Sequence, residues 1–510
     1  MTDRDIQVLI IGGGPTGLTL ACDLARRGVR FQIVDKAPAY FIGSKGKGLQ
    51  PRSLEVMDDF GIVEQVLANG KFHIPMRGYD GTKVLGERDM HEGRYPTPTT
   101  PYASPLITPQ WRVEEALRGL LERSGTQVEL ATELVGIEQD EDGVTATLSS
   151  GGDEERVRSQ FLVAADGGRS FVRKFLQVPF EGETWKDERM YVGDVRLQGL
   201  DRDAWHSWPN HPDGWLALCP LPSTDTFQLQ AQVPPGDAAE PSLELYQRLV
   251  DERTDGMDIQ LTEAPWLSLY QVNVRMVSKY RIGRIFLAGD AAHVHTPAGG
   301  QGMNTGIQDA YNLGWKLAAV LDGAQNSLLD TYEEERLPVA ANVLGISTRL
   351  YRQITGEEEK IRRDSITLQL GITYKKMSLS AKSGDIALNL SSGDRAPDAT
   401  GLDGNGKPVR LFDFFRGSQF TLLRLFSSDI DASEDQHPNV KFVDVRRELP
   451  ATDTSVEVFV DVDDHIATVY GGGNGEHVLV RPDGYVGWIG WRKNLGDLKR
   501  YPGLESEGCA

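Results

Sequence analysis

The chain has 510 residues, 39% hydrophobic and 25% charged, so it is long enough for two or three domains and has the composition of an ordinary soluble protein. Its net charge of −20 argues against nucleic acid or an anionic membrane surface as a partner, because contacts to phosphates need a basic surface. Three widely spaced cysteines provide neither a disulfide framework nor a metal cluster, and no apolar run approaches the ~18 residues of a membrane span, which together predict a cytoplasmic protein.

A glycine-rich turn follows the first apolar run. The stretch "VLIIGGGPTGLTLACDL" places Gly12, Gly14 and Gly17 in a G-x-G-x-x-G pattern between a predicted strand and helix, where the backbone approaches a pyrophosphate and the helix N-terminus faces it. Asp35 closes the next predicted strand, "FQIVD", where an acid accepts hydrogen bonds from a ribose. The stretch predicts a dinucleotide-binding fold, and by itself it does not separate NAD from FAD.

The later elements fall into three zones. A helix at 110–123 and strands "VEL", "GVTATLSS" and "QFLVAADG" are predicted next, and aromatic-rich runs between Pro and Gly turns then indicate an inserted antiparallel sheet. After further helices, a Gly-, Ser- and Pro-rich stretch leads to the strand-like runs "QFTLLRLF", "EVFVDV" and "HVLVRPDGYVGWIGW". The predicted boundaries are 1–180 and 281–392 for a split nucleotide-binding domain, 181–280 for the sheet domain, and 393–510 for a C-terminal domain.

A second glycine-rich stretch, "GDAAHVHTPAGGQGMNTGIQDAYNLGWKLAAVL", lies far along the chain. Asp290 follows "IFLA", so we expect it at the C-terminal end of a parallel strand, where ligands collect in such sheets. Gly299, Gly300 and Gly302 let the chain approach a flat ligand, and a helix that starts near Met303 directs free N–H groups toward it. A reduced isoalloxazine is negatively charged near N1 and C2=O, so this pattern favours a flavin over a nicotinamide.

Three motifs carry a resemblance to a known family: "GGGPTGL" at 12–18, "ADGGRSFVR" at 165–173, and the second glycine-rich stretch at 289–318. On these motifs the chain resembles the single-component FAD-dependent aromatic hydroxylases, the group A flavoprotein monooxygenases, and most closely the branch that acts on polyketides and phenols. The resemblance implies an α/β fold with a Rossmann-like FAD-binding domain, an inserted antiparallel-sheet substrate domain and a thioredoxin-like C-terminal domain. One glycine-rich loop would hold the ADP part of FAD, and the other the ribityl chain and flavin ring.

The resemblance also assigns FAD contacts position by position. They are Gly12, Gly14, Pro15, Thr16 and Gly17 at the pyrophosphate, Asp35 and Lys36 at the adenosine ribose, Lys45 and Gln110 near the pyrophosphate and ribityl chain, Asp166 in the DG segment, Asp290 at the ribityl chain, Pro297 at the flavin face, and Gly299, Gly302, Met303 and Asn304 around N1 and C2=O. Lys45 stands where relatives commonly carry the arginine of Pro-Arg-Ala, and Lys36 follows Asp35 where Glu-Arg is commoner. A lysine is a point charge and does not provide the planar fork of arginine.

The implied reaction needs no metal and no protein nucleophile. NADPH or NADH would reduce FAD, O2 would add at flavin C4a, and the C4a-hydroperoxyflavin would pass one oxygen to a small aromatic substrate. The aromatic insertion would wall a dry pocket, with expected substrate contacts at Tyr191, Trp215, Phe227 and Tyr270. No catalytic side chain is assigned, and no metal is assigned to the pair His293 and His295, which lacks a third ligand.

Other interpretations stay open at this point. The same scaffold supports Baeyer–Villiger oxygenation or hydroxylation that inactivates an antibiotic, and a non-catalytic nucleotide-binding assembly subunit is the alternative from another class. The C-terminal unit has one cysteine, Cys509, whereas a redox thioredoxin needs two cysteines separated by two residues. We therefore predict a structural role for this unit, at a subunit contact if the protein forms a homo-oligomer.

Overall fold

The computed structural model describes residues 6–233, 239–354, 367–427, 437–451, 456–473 and 475–505. Cys509 lies outside the described residues, so the structure does not bear on its predicted role. The strands of the described residues are, in chain order, β1 (Ile6–Ile11), β2 (Phe31–Val34), β3 (Gly48–Leu49), β4 (Met76–Asp80), β5 (Lys83–Arg88), β6 (Leu106–Ile107), β7 (Thr132–Gln139), β8 (Val144–Ser150), β9 (Asp153–Ala164), β10 (Glu181–Gln198), β11 (Trp205–Trp208), β12 (Leu216–Pro220), β13 (Phe227–Gln232), β14 (Gln260–Met276), β15 (Arg281–Ile282), β16 (Ile285–Leu287), β17 (His293–Val294), β18 (Ala381–Lys382), β19 (Thr400–Asp403), β20 (Pro408–Arg410), β21 (Phe420–Leu425), β22 (Val440–Arg446), β23 (Glu457–Val460), β24 (Glu476–Val480) and β25 (Val486–Trp491).

Helices cover these sheets. In chain order they are α1 (Pro15–Arg26), α2 (Pro51–Asp59), α3 (Val63–Ala68), α4 (Gln110–Arg123), α5 (Phe171–Phe175), α6 (Leu243–Arg253), α7 (Gly302–Leu321), α8 (Asp330–Ile354), α9 (Leu411–Phe415) and α10 (His465–Val469). Among the described residues, no helix combines the length and apolar character that crossing a membrane requires.

The first sheet has the order β15-β16-β9-β1-β2, in which β16, β9, β1 and β2 are mutually parallel. Strand β8 pairs antiparallel with β9, and β7 pairs antiparallel with β8. Its central strand β1 is buried, as expected for a parallel strand covered on both faces. Helix α1 follows β1, helix α7 follows β16, and the two pack closely: a Cβ on Gly314 would lie 2.2 Å from the Asp23 carboxylate. The predicted α/β class is confirmed, while the predicted strand "VEL" forms only one bridge, from Glu129 to Val34.

The second sheet has the order β17-β14-β10-β13-β12-β11-β4-β5 and is antiparallel except where β11 pairs with β4. It extends beyond the predicted range 181–280, because β4, β5 and β17 come from the flanking sequence. Every residue of β5 is exposed, so this edge strand lacks the hydrophobic alternation that marks a strand in sequence. Helix α6 packs on one face of the sheet, and α8 lies at the other.

The third sheet has the order β18-β25-β24-β21-β22-β23-β19-β20, with β21, β22 and β23 parallel and β24 and β25 antiparallel. It starts with β18, twelve or so residues before the predicted boundary at 393. Strand β22 is not among the predicted strands, although its buried residues include Val443 and Val445.

A buried ionic cluster joins this C-terminal unit to the helices of the first sheet. Glu335 on α8 accepts hydrogen bonds from both terminal nitrogens of Arg481, at 2.5 and 2.9 Å, and from Lys316 on α7 at 2.7 Å. Asn312 donates to the same carboxylate at 2.7 Å. The side chains of Glu335, Lys316 and Arg481 are 0% exposed, so the two cations share this carboxylate in a medium of low dielectric. Arg481 also pairs with Asp483.

Candidate functional site

The two glycine-rich loops meet at one edge of the first sheet. Because β1 and β16 are both parallel to β9, the loops that follow them leave the sheet on the same side. Thr16, in the first turn of α1, fits between Gly289 of the second loop and Gly306 of α7: a Cβ on Gly289 or Gly306 would lie 2.5 or 2.4 Å from its Oγ1. The first turn of α1 therefore contacts the N-terminal part of α7, and the free N–H groups of both helices lie at this edge of the sheet.

The three glycines of the first loop have different surroundings. A Cβ on Gly12, whose φ is +110°, would lie 2.3 Å from the carbonyl oxygen of Ala165, and one on Gly17 would lie 1.9 Å from the carbonyl oxygen of Gly12. A Cβ on Gly14 would meet nothing within 4 Å. Gly14 is the N-cap of α1 and Pro15 occupies the first turn, so open space lies beside an uncapped helix N-terminus. A phosphate group fits this arrangement.

Asp35 stabilises the first loop directly. One carboxylate oxygen accepts a hydrogen bond from the Gly13 N–H at 2.7 Å, and the other accepts from the Ala37 N–H at 2.8 Å. Lys36 lies beside it with its side chain in solvent. Each oxygen of Asp35 keeps acceptor capacity for a ribose hydroxyl.

Asp290 lines a cleft next to the second loop. Its side chain is exposed, yet burial raises the pKa of its carboxyl, while His293 and Lys45 lower that pKa. His293, Lys45 and Tyr270 lie close enough to interact with this charge, so the exposed carboxylate faces a space that these side chains border. In the part of the chain that the structure describes, the carboxylate of Asp290 accepts no hydrogen bond. It is thus available to a ligand hydroxyl.

A loop at 44–50 crosses this cleft and is held from two sides. Gln110 accepts a hydrogen bond from the Gly46 N–H at 3.0 Å and donates to Glu114 at 2.8 Å, and burial raises the pKa of Glu114 to about 7. Asn304 donates to the carbonyls of Gly48 and Gly300 at 3.0 and 2.8 Å. The two predicted residues Gln110 and Asn304 therefore fix the backbone that carries Lys45.

The turn before α7 forms the floor of the cleft. Pro297 is half-buried, and Gly299 and Gly300 have φ values of +81° and +62°. A Cβ on Gly302 would lie 3.1 Å from His295 Nε2, and a Cβ on Gly46 would lie 3.7 Å from the Met303 methyl group. The structure thus brings the predicted residues at 297–304 opposite the 44–50 loop.

Asp166 is placed at the start of α5. Its Oδ2 accepts hydrogen bonds from the N–H groups of Phe171 and Val172 at 2.7 and 3.2 Å. Its Oδ1 is buried and has no hydrogen-bond partner among the described residues, and burial raises the pKa of this carboxyl. The DG segment therefore fixes a short helix beside the first loop and leaves one acceptor unused.

A buried hydrogen-bond network that was not predicted from the sequence supports the second loop. Asp309 accepts hydrogen bonds from the Gly289 N–H at 3.1 Å, from His293 Nε2 at 2.7 Å and from Arg336 Nε at 2.7 Å. His295 donates to the Thr296 carbonyl, and burial lowers the pKa of its imidazole to about 4. No group of three potential metal ligands occurs in the described ranges.

The four aromatic residues predicted to contact substrate divide between the two faces of the second sheet. Tyr191 and Phe227 are buried in the core under α6. Trp215 and Tyr270 lie on the opposite face, which packs toward Ala298 and α8. Tyr270 donates a hydrogen bond to the His295 carbonyl at 3.1 Å, and burial followed by the Asp290 charge raises its pKa. We call this second face the cleft face.

Register shows which other residues share the cleft face. Residues directly opposite each other in antiparallel strands point to the same side, so the pairings of β10 with β13 and β14 define three rows. These rows are Tyr270, Met190 and Gln232, then Ser268, Val192 and Gln230, then Trp266, Asp194 and Gln228. The strand alternation of period two could have revealed this division in the sequence.

Comparisons with known proteins identify the family of this chain. Residues 5–347 match the family described as FAD binding domain, and residues 390–501 match the family described as aromatic-ring hydroxylase, C-terminal. The chain is 44% identical to a flavin-dependent monooxygenase of Mycobacteroides abscessus, covering 94% of this chain and 96% of that one. It is 32% identical to pentachlorophenol 4-monooxygenase of Sphingobium chlorophenolicum, covering 94% and 93%.

Among solved structures, a ternary complex of aklavinone-11 hydroxylase with FAD and aklavinone matches with a TM-score of 0.84 and 26% identity, covering 99% of this chain and 100% of that chain. The fold and the cleft thus define an FAD-binding protein. The chain belongs to the family of FAD-dependent aromatic-ring monooxygenases, as its sequence motifs predicted.

The residues present fit FAD. The open space at Gly14 beside the α1 N-terminus suits a pyrophosphate, and the free carboxylate of Asp290 suits a ribityl hydroxyl. The uncapped first turn of α7 directs N–H groups to the same cleft. The individual contacts assigned to each residue remain predictions.

Replacing Asp290 with Ala is expected to weaken FAD binding about 10- to 150-fold, because one charge-assisted hydrogen bond is worth about 1.5–3 kcal/mol. Asp290→Asn keeps an acceptor oxygen and loses the charge. Its affinity for FAD should lie between those of Asp290→Ala and the natural protein. The measurement is a fluorescence titration of each apoprotein with FAD. A variant apoprotein that melts earlier but binds FAD normally would show that Asp290 only supports the turn.

Proposed function

We propose that this protein uses NAD(P)H and O2 to hydroxylate a small aromatic substrate, phenolic or polyketide, at its FAD. The observation that carries the proposal is the cleft face of the second sheet, which places Trp215 and Tyr270 next to the loop that contains Asp290 and Pro297. An aromatic wall beside a flavin loop is what oxygen transfer to a bound ring requires.

The residues of the chain have three tasks in this reaction. FAD, when bound, would supply the redox chemistry that links NAD(P)H to O2. The first turns of α1 and α7 would hold the phosphates and the ring of FAD, and Asp290 would orient the ribityl chain between them. Val272, Ile346 and Leu350, all at most 7% exposed, exclude water from the side of the cleft opposite the loops.

The experiment is a screen of purified holoprotein for NAD(P)H oxidation stimulated by phenols, naphthoquinones and tetracyclic polyketides, with the product identified by NMR. We expect stimulated oxidation and a product that carries one new hydroxyl group on the ring. A lactone would identify Baeyer–Villiger oxygenation in place of hydroxylation, since both add one oxygen. A colourless protein that takes up no FAD would identify a non-catalytic subunit and contradict the proposal.

A further inference from the structure

A lysine side chain enters the cleft face from the 44–50 loop. Lys47 Nζ donates hydrogen bonds to Gln228 Oε1 at 2.6 Å and to Gln230 Oε1 at 3.1 Å, and it lies 4.1 Å from the centre of the Trp205 ring. Gln228 in turn donates to the Ser44 carbonyl, which fixes the orientation of its amide. The amine is therefore held at a defined position by neutral groups.

The charge of Lys47 has no carboxylate in contact. Among the described residues, none lies within 4.0 Å of its amine, and the titratable groups that act on it are Cys219 and Asp194, on the facing strands β12 and β10. Burial lowers the pKa of Lys47, whereas it raises the pKa of Asp194 to about 6. A partly buried ammonium whose hydrogen-bond acceptors Gln228 and Gln230 are neutral is energetically costly, so an anion that binds beside it is stabilised.

The position of this amine relates it to the substrate wall. Gln228 and Gln230 lie opposite Asp194 and Val192, on the same face of the sheet as Trp215 and Tyr270. Lys47 and Gln230 both keep part of their surface open, so a ligand in the cleft can reach them. Gly46, the neighbour of Lys47, is hydrogen-bonded to Gln110 and lies near Met303 at the start of α7. The lysine thus lies between the sheet and the flavin loop.

We propose that Lys47 binds the ionised hydroxyl oxygen of the aromatic substrate and so holds the substrate as its phenolate. This inference rests on the proposed function and adds a substrate-binding residue to it. The O–H bond of the phenol breaks, the electron pair stays on oxygen, and the proton goes to the Lys47 amine or, when the amine is already protonated, to solvent. Both routes end in an ammonium–phenolate pair. A phenolate donates electron density into its ring, which favours attack by an electrophilic oxygen.

The test uses 4-nitrophenol as a coloured probe, with 4-nitroanisole as its analogue that cannot ionise. Difference spectra are recorded with the oxidised holoprotein over a range of pH, without NAD(P)H, so that no turnover occurs. We expect the pKa of bound 4-nitrophenol to lie about 1–3 units below its value in free solution, as for an acid beside an opposite charge. We also expect it to bind at least about 10-fold more tightly than 4-nitroanisole at neutral pH.

Two variants examine the lysine itself. Lys47→Gln removes the positive charge. Gln230→Glu leaves the lysine in place and sets a carboxylate beside its Nζ, which neutralises the charge of the ammonium. Both should raise the pKa of the bound probe to its free value or above and abolish the preference over 4-nitroanisole. Lys83→Gln, at an exposed position of β5, is the matched control and should behave as the natural protein does. Bound FAD, read from its absorbance, verifies that each variant is folded.

Two outcomes would overturn the inference. One is a natural holoprotein that binds 4-nitroanisole as tightly as 4-nitrophenol, and the other is a probe pKa that stays lowered in both Lys47→Gln and Gln230→Glu. Neither measurement depends on oxygenation. A protein that lowers the probe pKa through Lys47 and oxygenates no substrate would therefore refute the proposed function alone, whereas one that oxygenates phenols without this effect would refute only the role of Lys47.

Discussion

Replacing Glu335 with Ala is expected to lower the free energy of unfolding by about 3–5 kcal/mol, because it removes the carboxylate that pairs with the buried ammonium of Lys316. Glu335 is the carboxylate shared by Arg481 from the C-terminal unit and Lys316 from α7, and all three side chains are fully buried. Arg481 would keep Asp483 as a partner, whereas Lys316 would keep a hydrogen bond to the neutral amide oxygen of Asn312. The change therefore weakens the contact between the C-terminal unit and helices α7 and α8.

Urea denaturation of the holoprotein, followed by tryptophan fluorescence, measures this loss. The matched control is Glu138→Ala, which removes the same side chain from an ion pair with Arg156 whose members are 73% and 62% exposed. An exposed pair contributes about 1 kcal/mol or less. If the Glu335 and Glu138 variants lost equal stability, the cluster would not be the anchor of the C-terminal unit.

The same carboxylate predicts how stability depends on pH. Although burial acts to raise the pKa of Glu335, Arg481 and Lys316 outweigh it and hold that pKa well below the ordinary value of 4.5. A folded-state pKa below the unfolded one stabilises the protein above pH 4.5, and this contribution is lost as the pH falls further. The difference in unfolding free energy between the natural protein and Glu335→Ala should therefore be full at neutral pH and shrink below pH 4.5.

Elements with a strong local pattern could be predicted from the sequence. The G-x-G-x-x-G turn, the parallel strand before Asp290, and helix α4 at Gln110–Arg123 all match the structure, because periodicity and turn residues specify them locally. Strands β4 and β5 could not be found in this way. Strand β4 joins the second sheet by pairing with β11, which is distant in sequence, and β5 pairs with β4 and has no buried residue. Such strands are determined by tertiary contacts.

The candidate site likewise contains residues that local motifs predict and residues that only tertiary contacts bring together. Motifs predicted Asp35, Gln110 and Asn304 as FAD contacts. In the structure, Asp35 accepts a hydrogen bond from Gly13 of the first loop, and Gln110 and Asn304 both hydrogen-bond the 44–50 loop. The pair formed by Asp309 and Arg336 had no local signal, because a buried ion pair between two helices depends on how those helices pack. Lys47 was not predicted as a site residue for a related reason. Its environment is formed by strands about 180 residues later in the chain.

Replacing Gly14 or Gly17 with Ala should distinguish a glycine that leaves room for FAD from a glycine that packs against the protein backbone. A Cβ on Gly17 would overlap the Gly12 carbonyl oxygen, at 1.9 Å, so Gly17→Ala should lower apoprotein stability by about 1–3 kcal/mol through overpacking. A Cβ on Gly14 would meet no protein atom within 4 Å, and its φ of −78° is open to alanine, so apoprotein stability should be unchanged. In the complex that methyl group would occupy the approach of the pyrophosphate to the α1 N–H groups.

Loss of two charge-assisted hydrogen bonds, each worth at least about 1.5 kcal/mol, would weaken FAD binding by Gly14→Ala about 100-fold or more. The measurements are apoprotein melting curves, which report the fold, and FAD titrations, which report the site. We expect Gly14→Ala to melt as the natural apoprotein does and to bind FAD poorly, and Gly17→Ala to melt at a lower temperature. Unchanged FAD affinity in Gly14→Ala would mean that the pyrophosphate does not approach the N-terminus of α1, and the first glycine loop would then have a structural role only.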